Sequence, residues 1–385
     1  MTPAARWAAA AQILDRISAG DPAEKALTNW ARRSRFAGSK DRAAIRDHVF
    51  DILRCWRSTA ALGGGESGRA RVLGRLMQEG IAPETVFTGE GYAMPPLSDA
   101  EKTAGRDPEG AEACDLPDWL FDIVNEDLPD TIDATAEALR HRASVFLRVN
   151  GLKTTRPEAQ AALLDDGIET APHPLSDTTL EVRDGARRIT QSTAFQSGLV
   201  ELQDVASQAV VDLLPLSPGM RVLDYCAGGG GKTLAMAAKL RGPVDAHDAD
   251  PRRMSDLPTR ATRAGAEVTL IANPKGPYDL VLCDVPCSGS GSWRRAPEGK
   301  WRLTPEQLTD LTKVQSTILD EVVDLIGPDD TLAYATCSVL KRENEDQIDA
   351  FLKRHPEWRC TEQRRFDLSE GGDGFFAAIL TRGDR

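Results

Sequence analysis

No hydrophobic run in the 385 residues approaches the roughly 20 apolar positions that a membrane-crossing helix needs. The apolar start, Met1 to Leu14, is soon interrupted by Asp15 and Arg16. It reads as an amphipathic helix rather than a removable leader, and the cytoplasm is the expected location. Metal-ligand spacing is missing as well. There is no C-x-x-C, the 5 His are scattered, and the 7 Cys (Cys55, Cys114, Cys226, Cys283, Cys287, Cys337 and Cys360) are odd in number. A disulfide framework is not expected in so long a chain, nor is a metal site. Several of these thiols should simply be core residues. Positive charge is also scarce: 47 Lys and Arg against 59 Asp and Glu leave a net charge of -12. Any nucleic-acid contact must then come from a local basic face. Candidates are Arg32, Arg33, Arg35, Lys40 and Arg42; Arg294, Arg295, Lys300 and Arg302; and Lys341 with Arg342. Taken singly, each reads more readily as a solvated surface than as a binding face.

What is present divides into three textures. Residues 1 to about 61 carry helical spacing, as in Ile45, Val49, Ile52, Leu53 and Trp56. Gly63-Gly64-Gly65 breaks the chain, a weaker helix covers Arg69 to Gln78, and Ile81 to Asp115 reads as irregular. Helices resume at Pro117 and at Thr131 to Arg142, so residues 1–135 predict an all-helical domain. Residues 140–198 predict a small α+β unit: strand Val145 to Asn150, helix Pro157 to Leu164 and strand Thr178 to Val182. From 199 to 385, after a helix over Val200 to Leu214, strands and helices alternate. Strands are expected at 221–225, 244–247, 268–271, 280–283, 332–334 and 375–380, and helices at 233–240, 252–263, 305–326 and 343–354. This alternation predicts an α/β, doubly wound, mostly parallel sheet, whose ligands sit at the carboxyl ends of the strands. Nothing in the sequence demands more than a monomer.

The first strand of that region runs into Asp224-Tyr225-Cys226-Ala227-Gly228-Gly229-Gly230-Gly231-Lys232-Thr233. A glycine-rich strand-to-helix turn lets a ligand approach the backbone closely. The phosphate-cradling pattern G-x-x-x-x-G-K-[ST] fails, because its first glycine would fall at Cys226. The dinucleotide pattern G-x-G-x-x-G fails at Thr233. S-adenosylmethionine is the remaining candidate. Asp248, about 20 residues on at the end of the second strand, suits a ribose, although it would suit NAD equally.

Two further strand ends carry thiols, in Asp284-Val285-Pro286-Cys287-Ser288-Gly289-Ser290-Gly291 and in Ala335-Thr336-Cys337-Ser338. Carboxyl ends of parallel strands share one edge, so both sulfurs are expected at the crevice that holds the cofactor. Two thiols and an acid beside a methyl donor fit methylation of carbon 5 of cytosine. That carbon is a poor nucleophile until a thiolate adds to carbon 6. A carboxylate such as Asp284 can hold the amine and ring nitrogen of the base. The competing reading makes both cysteines core packing, but their polar, small-residue turns speak against it.

At these residues the sequence resembles the RsmB/Nop2/Sun family of RNA 5-cytosine methyltransferases. The likeness rests on Val222 to Ala227 with Gly230 to Thr233, on Asp284 to Ser288, and on Tyr334 to Leu340 followed by Glu343-Asn344. It extends to Leu147-Arg148-Val149-Asn150, Gln203-Asp204, Ser207-Gln208, Lys300-Trp301 and Asp373 to Phe376, and so covers residue 140 to the end. The first domain resembles, more weakly, the NusB-like RNA-binding domain of the bacterial RsmB branch, which modifies small-subunit ribosomal RNA. The resemblance implies a class I, Rossmann-like methyltransferase sheet, S-adenosylmethionine as cofactor and ribosomal RNA as partner. It also implies Cys337 as nucleophile, Cys287 as the group that assists release, and Asp284 at the base and the methyl donor. Cys226, Ala227, Gly228, Gly229, Gly230, Gly231 and Lys232 would wrap the methionine portion of the cofactor, with Lys232 also among the reacting groups, and Asp248 would hold the ribose. Two departures stand out: Gly228-Gly229 where the family usually has Ala-Pro, and Asn273 where it usually has an acid near the adenine. Three rivals remain: an N-methyltransferase, which would leave the twin cysteines without purpose; a non-catalytic ribosome-assembly factor with a relic pocket; and an NAD-dependent oxidoreductase.

Overall fold

The computed structural model describes residues 1–383 and resolves two compact units. The first comprises Met1–Arg142 together with Trp293–Arg302. Its helices are α1 (Pro3–Ser18), α2 (Ala23–Arg33), α3 (Ser39–Arg54), α4 (Trp56–Gly63), α5 (Gly68–Glu79), α6 (Asp99–Thr103), α7 (Asp118–Asp127) and α8 (Ile132–Arg140), with α14 (Glu298–Arg302) from the distant segment. Helix α1 starts where Thr2 caps the Ala5 amide and Pro3 takes the first turn. Its Trp7, Ala10, Ile13 and Leu14 join Ile45, Val49, Ile52 and Leu53 of α3 in one core. Within the stretch expected to be irregular, α6 forms because Ser98 and Glu101 make a reciprocal capping box.

The basic cluster expected at Arg294, Arg295, Lys300 and Arg302 is split by burial. Lys300 is 1% exposed and Arg294 7%, so these two cations are not part of a solvated basic face; Arg295 and Arg302 are exposed, and Arg302 is paired with Glu298 at 2.8 Å. Lys300 Nζ donates to the Arg54 carbonyl at 3.0 Å and Trp301 Nε1 to the Leu53 carbonyl at 2.8 Å. Both satisfy carbonyls left open at the end of α3. Residues 293–302 therefore belong with the helical unit and not with the α/β region in which the sequence placed them.

The second unit, Ala143–Ser292 with Leu303–Arg385, holds two sheets. The smaller is antiparallel, in the order β2-β3-β1-β4, from β1 (Val145–Val149), β2 (Glu169–Pro172), β3 (Thr179–Asp184) and β4 (Val200–Leu202), with α9 (Arg156–Asp165) and α10 (Thr193–Gln196). Val200–Leu202 is thus a strand paired to β1, where the sequence predicted the start of a helix, and α11 begins only at Val205 (Val205–Leu213). Asp204 sets that start by capping the Ala206 amide.

The larger sheet has seven strands in the order β10-β11-β9-β8-β5-β6-β7. They are β5 (Val222–Asp224), β6 (Val244–Ala246), β7 (Val268–Leu270), β8 (Tyr278–Asp284), β9 (Ile326–Thr336), β10 (Trp358–Phe366) and β11 (Phe375–Arg382). Helices α12 (Gly231–Leu240), α13 (Leu257–Ala264), α15 (Pro305–Val322) and α16 (Glu345–Arg354) connect them. The pairs from β7 through β9 are parallel; β9–β11 and β11–β10 are antiparallel. Alternate residues feed two cores: Val222, Leu280, Leu282 and Ala333 enter one, and Leu223, Val281, Leu332 and Tyr334 the other. Burial on both sides is why these strands read as continuous apolar runs. Strand β10 escaped the sequence reading because residues 359–364, between its buried ends Trp358 and Phe366, are mostly exposed, as suits an edge. No helix among the described residues is long and apolar enough to cross a membrane. Nor do the described residues include a group of three or more His, Cys, Asp or Glu able to hold a metal.

Candidate active site

The register aligns the strand ends: Asp224 lies opposite Leu282, and Asp284 opposite Ala335. Strand order reverses between β5 and β8, and a crevice opens at such a reversal. A cavity of about 460 Å³ lies there. Cys226, Ala227, Gly228, Gly229, Gly231, Lys232, Asp284, Cys287 and Cys337 line it, with Gln203, Ser207, Arg253, Val285 and Pro286. The volume falls in the range usual for small-molecule sites.

The glycine run makes the floor. Gly230 stands at φ +78°, and a Cβ there would lie 2.1 Å from Leu257 Cδ1, so this cap of α12 needs glycine. A Cβ on Gly228 or Gly229 would lie 3.2 or 3.1 Å from the guanidinium of Arg253 or Arg260. Main chain and two arginines therefore form a cradle that side chains would fill, which fits a ligand held against the loop backbone. Arg148 donates to the Gly231 carbonyl at 2.6 Å, and Arg260 donates to the Gly229 carbonyl.

Asp248 does not line the cavity. It is 4% exposed: Oδ2 accepts from the Gly228 amide at 2.9 Å and from Arg253 at 3.1 Å, and Oδ1 accepts from the Asp250 amide. Here the carboxylate shapes the loop. Gly230 and Asn273 are not among the lining residues, and Asn273 is exposed, three positions beyond the end of β7. Asp224 is buried with Oδ2 accepting from Thr233 Oγ1 at 2.6 Å and Oδ1 unpartnered; burial pushes its carboxyl up to about 7.

Across the cavity, Lys232 Nζ donates to Asp284 Oδ2 at 2.7 Å. Burial by itself would depress the ammonium, but the charge and hydrogen bond of Asp284 outweigh it, so Lys232 is held above the ordinary lysine value. Cys287 Sγ and Cys337 Sγ lie 3.3 Å apart. The contact with Cys337, then burial, keeps the Cys287 thiol well above the usual range and so protonated at neutral pH.

One residue that sequence reasoning passed over ties the two cysteine turns together. Glu343 is fully buried. Its Oε1 accepts from the Ser288 amide at 2.8 Å and from Gln315 Nε2 at 3.0 Å, and its Oε2 accepts from Ser288 Oγ and Ser338 Oγ. Ser288 follows Cys287 and Ser338 follows Cys337, so one carboxylate holds both turns. Gly291 closes the same corner: its amide donates to the Cys337 carbonyl at 3.0 Å, and a Cβ there would lie 1.8 Å from the Gly374 carbonyl. In the family resemblance Glu343 is only a motif position without a role, and nothing in its spacing reveals these partners.

Comparison with known proteins agrees with this geometry. Residues 211–380 match the family described as 16S rRNA methyltransferase RsmB/F, and residues 116–187 match the ferredoxin-like domain of RsmF/B-like methyltransferases. Ribosomal RNA small subunit methyltransferase B of Yersinia pseudotuberculosis is 33% identical over 289 residues, 69% of this chain and 66% of that protein. The same protein of Yersinia pestis bv. Antiqua (strain Angola) matches to the same extent. The match thus spans just under two thirds of these relatives' own length. Among solved structures, a methyltransferase homologue from Pyrococcus horikoshii has a TM-score of 0.64 at 22% identity, over 72% of this chain and 98% of that one. The NSun6 of Pyrococcus horikoshii, solved with SFG, has a TM-score of 0.62 at 16% identity, over 70% and 99%. These two share the fold. On the sequence matches, the chain belongs to the RsmB/F family of methyltransferases.

Proposed function

We propose that the chain is an S-adenosylmethionine-dependent RNA (cytosine-5) methyltransferase acting on small-subunit ribosomal RNA in the cytoplasm, through a covalent bond between Cys337 Sγ and carbon 6 of the base. The observation that carries this reading is the pair of sulfurs 3.3 Å apart in a cavity floored by a glycine loop. The cofactor supplies an electrophilic methyl on a sulfonium sulfur. Cys226 to Gly229, Gly231 and Lys232 would hold it, with Arg253 beside the loop.

This chain's own groups divide the remaining work. The target base must leave its stack to reach the cavity. Asp284, fixed by Lys232, accepts from the exocyclic amine and orients the ring. Cys337 as thiolate adds to carbon 6, which makes carbon 5 electron-rich enough to be methylated. Release requires the carbon 5 proton to pass to a water molecule and the carbon–sulfur bond to break, with the electron pair returning to Cys337. Cys287, protonated and in contact with that sulfur, would give the leaving thiolate a proton.

The test is RNA carrying 5-fluorocytidine, whose carbon 5 bears no removable proton. With cofactor, wild-type protein should form a denaturation-resistant RNA adduct, and Cys337→Ala should form none. An adduct that persists in Cys337→Ala, or a wild type that forms none with any small-subunit RNA fragment, overturns the reading.

A further inference from the structure

The chain has 10 Phe, 4 Tyr and 7 Trp. Of these, only Phe36, 72% exposed, and Tyr92, 86% exposed, stand out in solvent among the described residues. They stand next to each other: their rings are near parallel at 18°, with centroids 6.5 Å apart. Together they rim a cavity of about 480 Å³ in the helical unit, lined also by Ala5, Ala9, Gln12 and Trp30. Two bare aromatic faces side by side carry an unfavourable hydration that a folded chain normally removes.

The charge around them is equally out of pattern. Five arginines elsewhere in this unit are neutralised locally: Arg46 by Glu24, Arg57 by Asp118, Arg69 by Glu101, Arg106 by Glu112 and Arg140 by Asp115. Arg32, Arg33, Arg35 and Lys40 are exposed and make no ion pair among the described residues. They lie at the end of α2, in the loop that carries Phe36, and at the start of α3. The nearest acid in sequence, Asp41, is taken by Arg6 at 2.8 Å. In a protein of net charge -12, four exposed cations without an ion pair among the described residues, on the segment that carries one of two bare rings, form a local site for a polyanion with flat, apolar faces.

We infer that Phe36 and Tyr92 stack unpaired bases of single-stranded RNA, with Arg32, Arg33, Arg35 and Lys40 on the flanking phosphates. This is a second RNA site, and it rests on the proposal that the substrate is RNA. Glu90, the one acid lining the cavity, disfavours phosphate there but can accept a hydrogen bond from a base amine. The arrangement selects against duplex, whose bases are already stacked on one another.

The test measures binding of the full chain to a fluorescein-labelled single-stranded RNA of mixed sequence, and to the same RNA annealed to its complement, across a salt series. Both rings are exposed, so Phe36→Ser with Tyr92→Ser opens no core. The double variant should lose about tenfold or more in single-strand affinity. Its duplex affinity, salt slope and S-adenosylmethionine binding should stay unchanged. Arg33→Gln with Arg35→Gln should instead flatten the logarithmic salt slope by about 0.7 for each phosphate that is no longer neutralised. Single-strand affinity within twofold of wild type in the ring variant overturns the proposal. So does intact RNA affinity with lost binding to assembled small subunits, which would assign the surface to a protein partner. A wild type that binds this RNA yet forms no 5-fluorocytidine adduct defeats the proposed reaction and leaves this site standing; one that binds no RNA defeats both.

Discussion

Glu343 offers the sharpest test of how the site is held. Removing it as Glu343→Ala strips four donors of their acceptor. The losses are unequal. Gln315 Nε2 keeps the Pro286 carbonyl at 3.0 Å, and Ser338 Oγ keeps Ser290 Oγ at 2.9 Å. The Ser288 amide has no second acceptor among the described residues, and a buried orphaned donor costs about 1–3 kcal/mol. Adding the emptied side-chain volume and the lost charge-assisted bonds brings the expected destabilisation to roughly 3–5 kcal/mol. Glu343→Gln keeps the shape and one acceptor, and its amine can face two hydroxyls able to accept, so about 1–2 kcal/mol is expected. Both variants loosen the two cysteine turns. A displacement near 1 Å at reacting groups can cost on the order of 100-fold, so kcat should fall by that order in Glu343→Ala and less in Glu343→Gln. Glu343 does not line the cofactor cavity, so S-adenosylmethionine affinity should change little. Denaturant unfolding gives the stability, tritiated methyl transfer well below the melting temperature gives kcat, and calorimetry gives the affinity. A Glu343→Ala protein with kcat within about twofold of wild type and less than about 0.5 kcal/mol of lost stability would refute the reasoning.

The two cysteines should separate by product: Cys337→Ala abolishes methyl transfer, whereas Cys287→Ala accumulates the covalent RNA complex on a denaturing gel, and equal behaviour of the two variants would contradict their assigned roles. Gly291→Ala forces a methyl toward the Gly374 carbonyl and should destabilise by roughly 1–3 kcal/mol, read as a lower denaturant midpoint. Lys300 predicts a pH dependence of definite sign. Burial holds its folded pKa at about 8, below the unfolded value near 10.4, so between those two values the unfolded chain binds the extra proton and stability rises with pH. Lys300→Met should remove that rise, about 3 kcal/mol across the window, and a slope unchanged in the variant would count against it.

The longer helices, the strand–helix alternation, the glycine turn and the two Cys-bearing strand ends were legible because each is written in neighbouring residues. Apolar spacing sets the periods, and small polar residues mark the turns. Strand β10 was not legible, since its mostly exposed residues 359–364, half of them charged, carry an edge rather than a core pattern. The boundary at Val200 was missed because a three-residue strand takes its identity from its partner β1 and not from its own sequence. Lys300 looked like a surface cation by type and turned out to be a buried cap.

By itself the sequence determined the chemistry at hand: which strand ends carry thiols, which turn lacks side chains, and which family the motifs belong to. Tertiary structure decided what those groups face. The two sulfurs are 50 residues apart in the chain, Glu343 reaches a turn 55 residues away, and Phe36 meets Tyr92 across a fold of helices. Hydrogen bonds and burial act at a few ångströms, and which distant residues come that close is settled only when the whole chain packs.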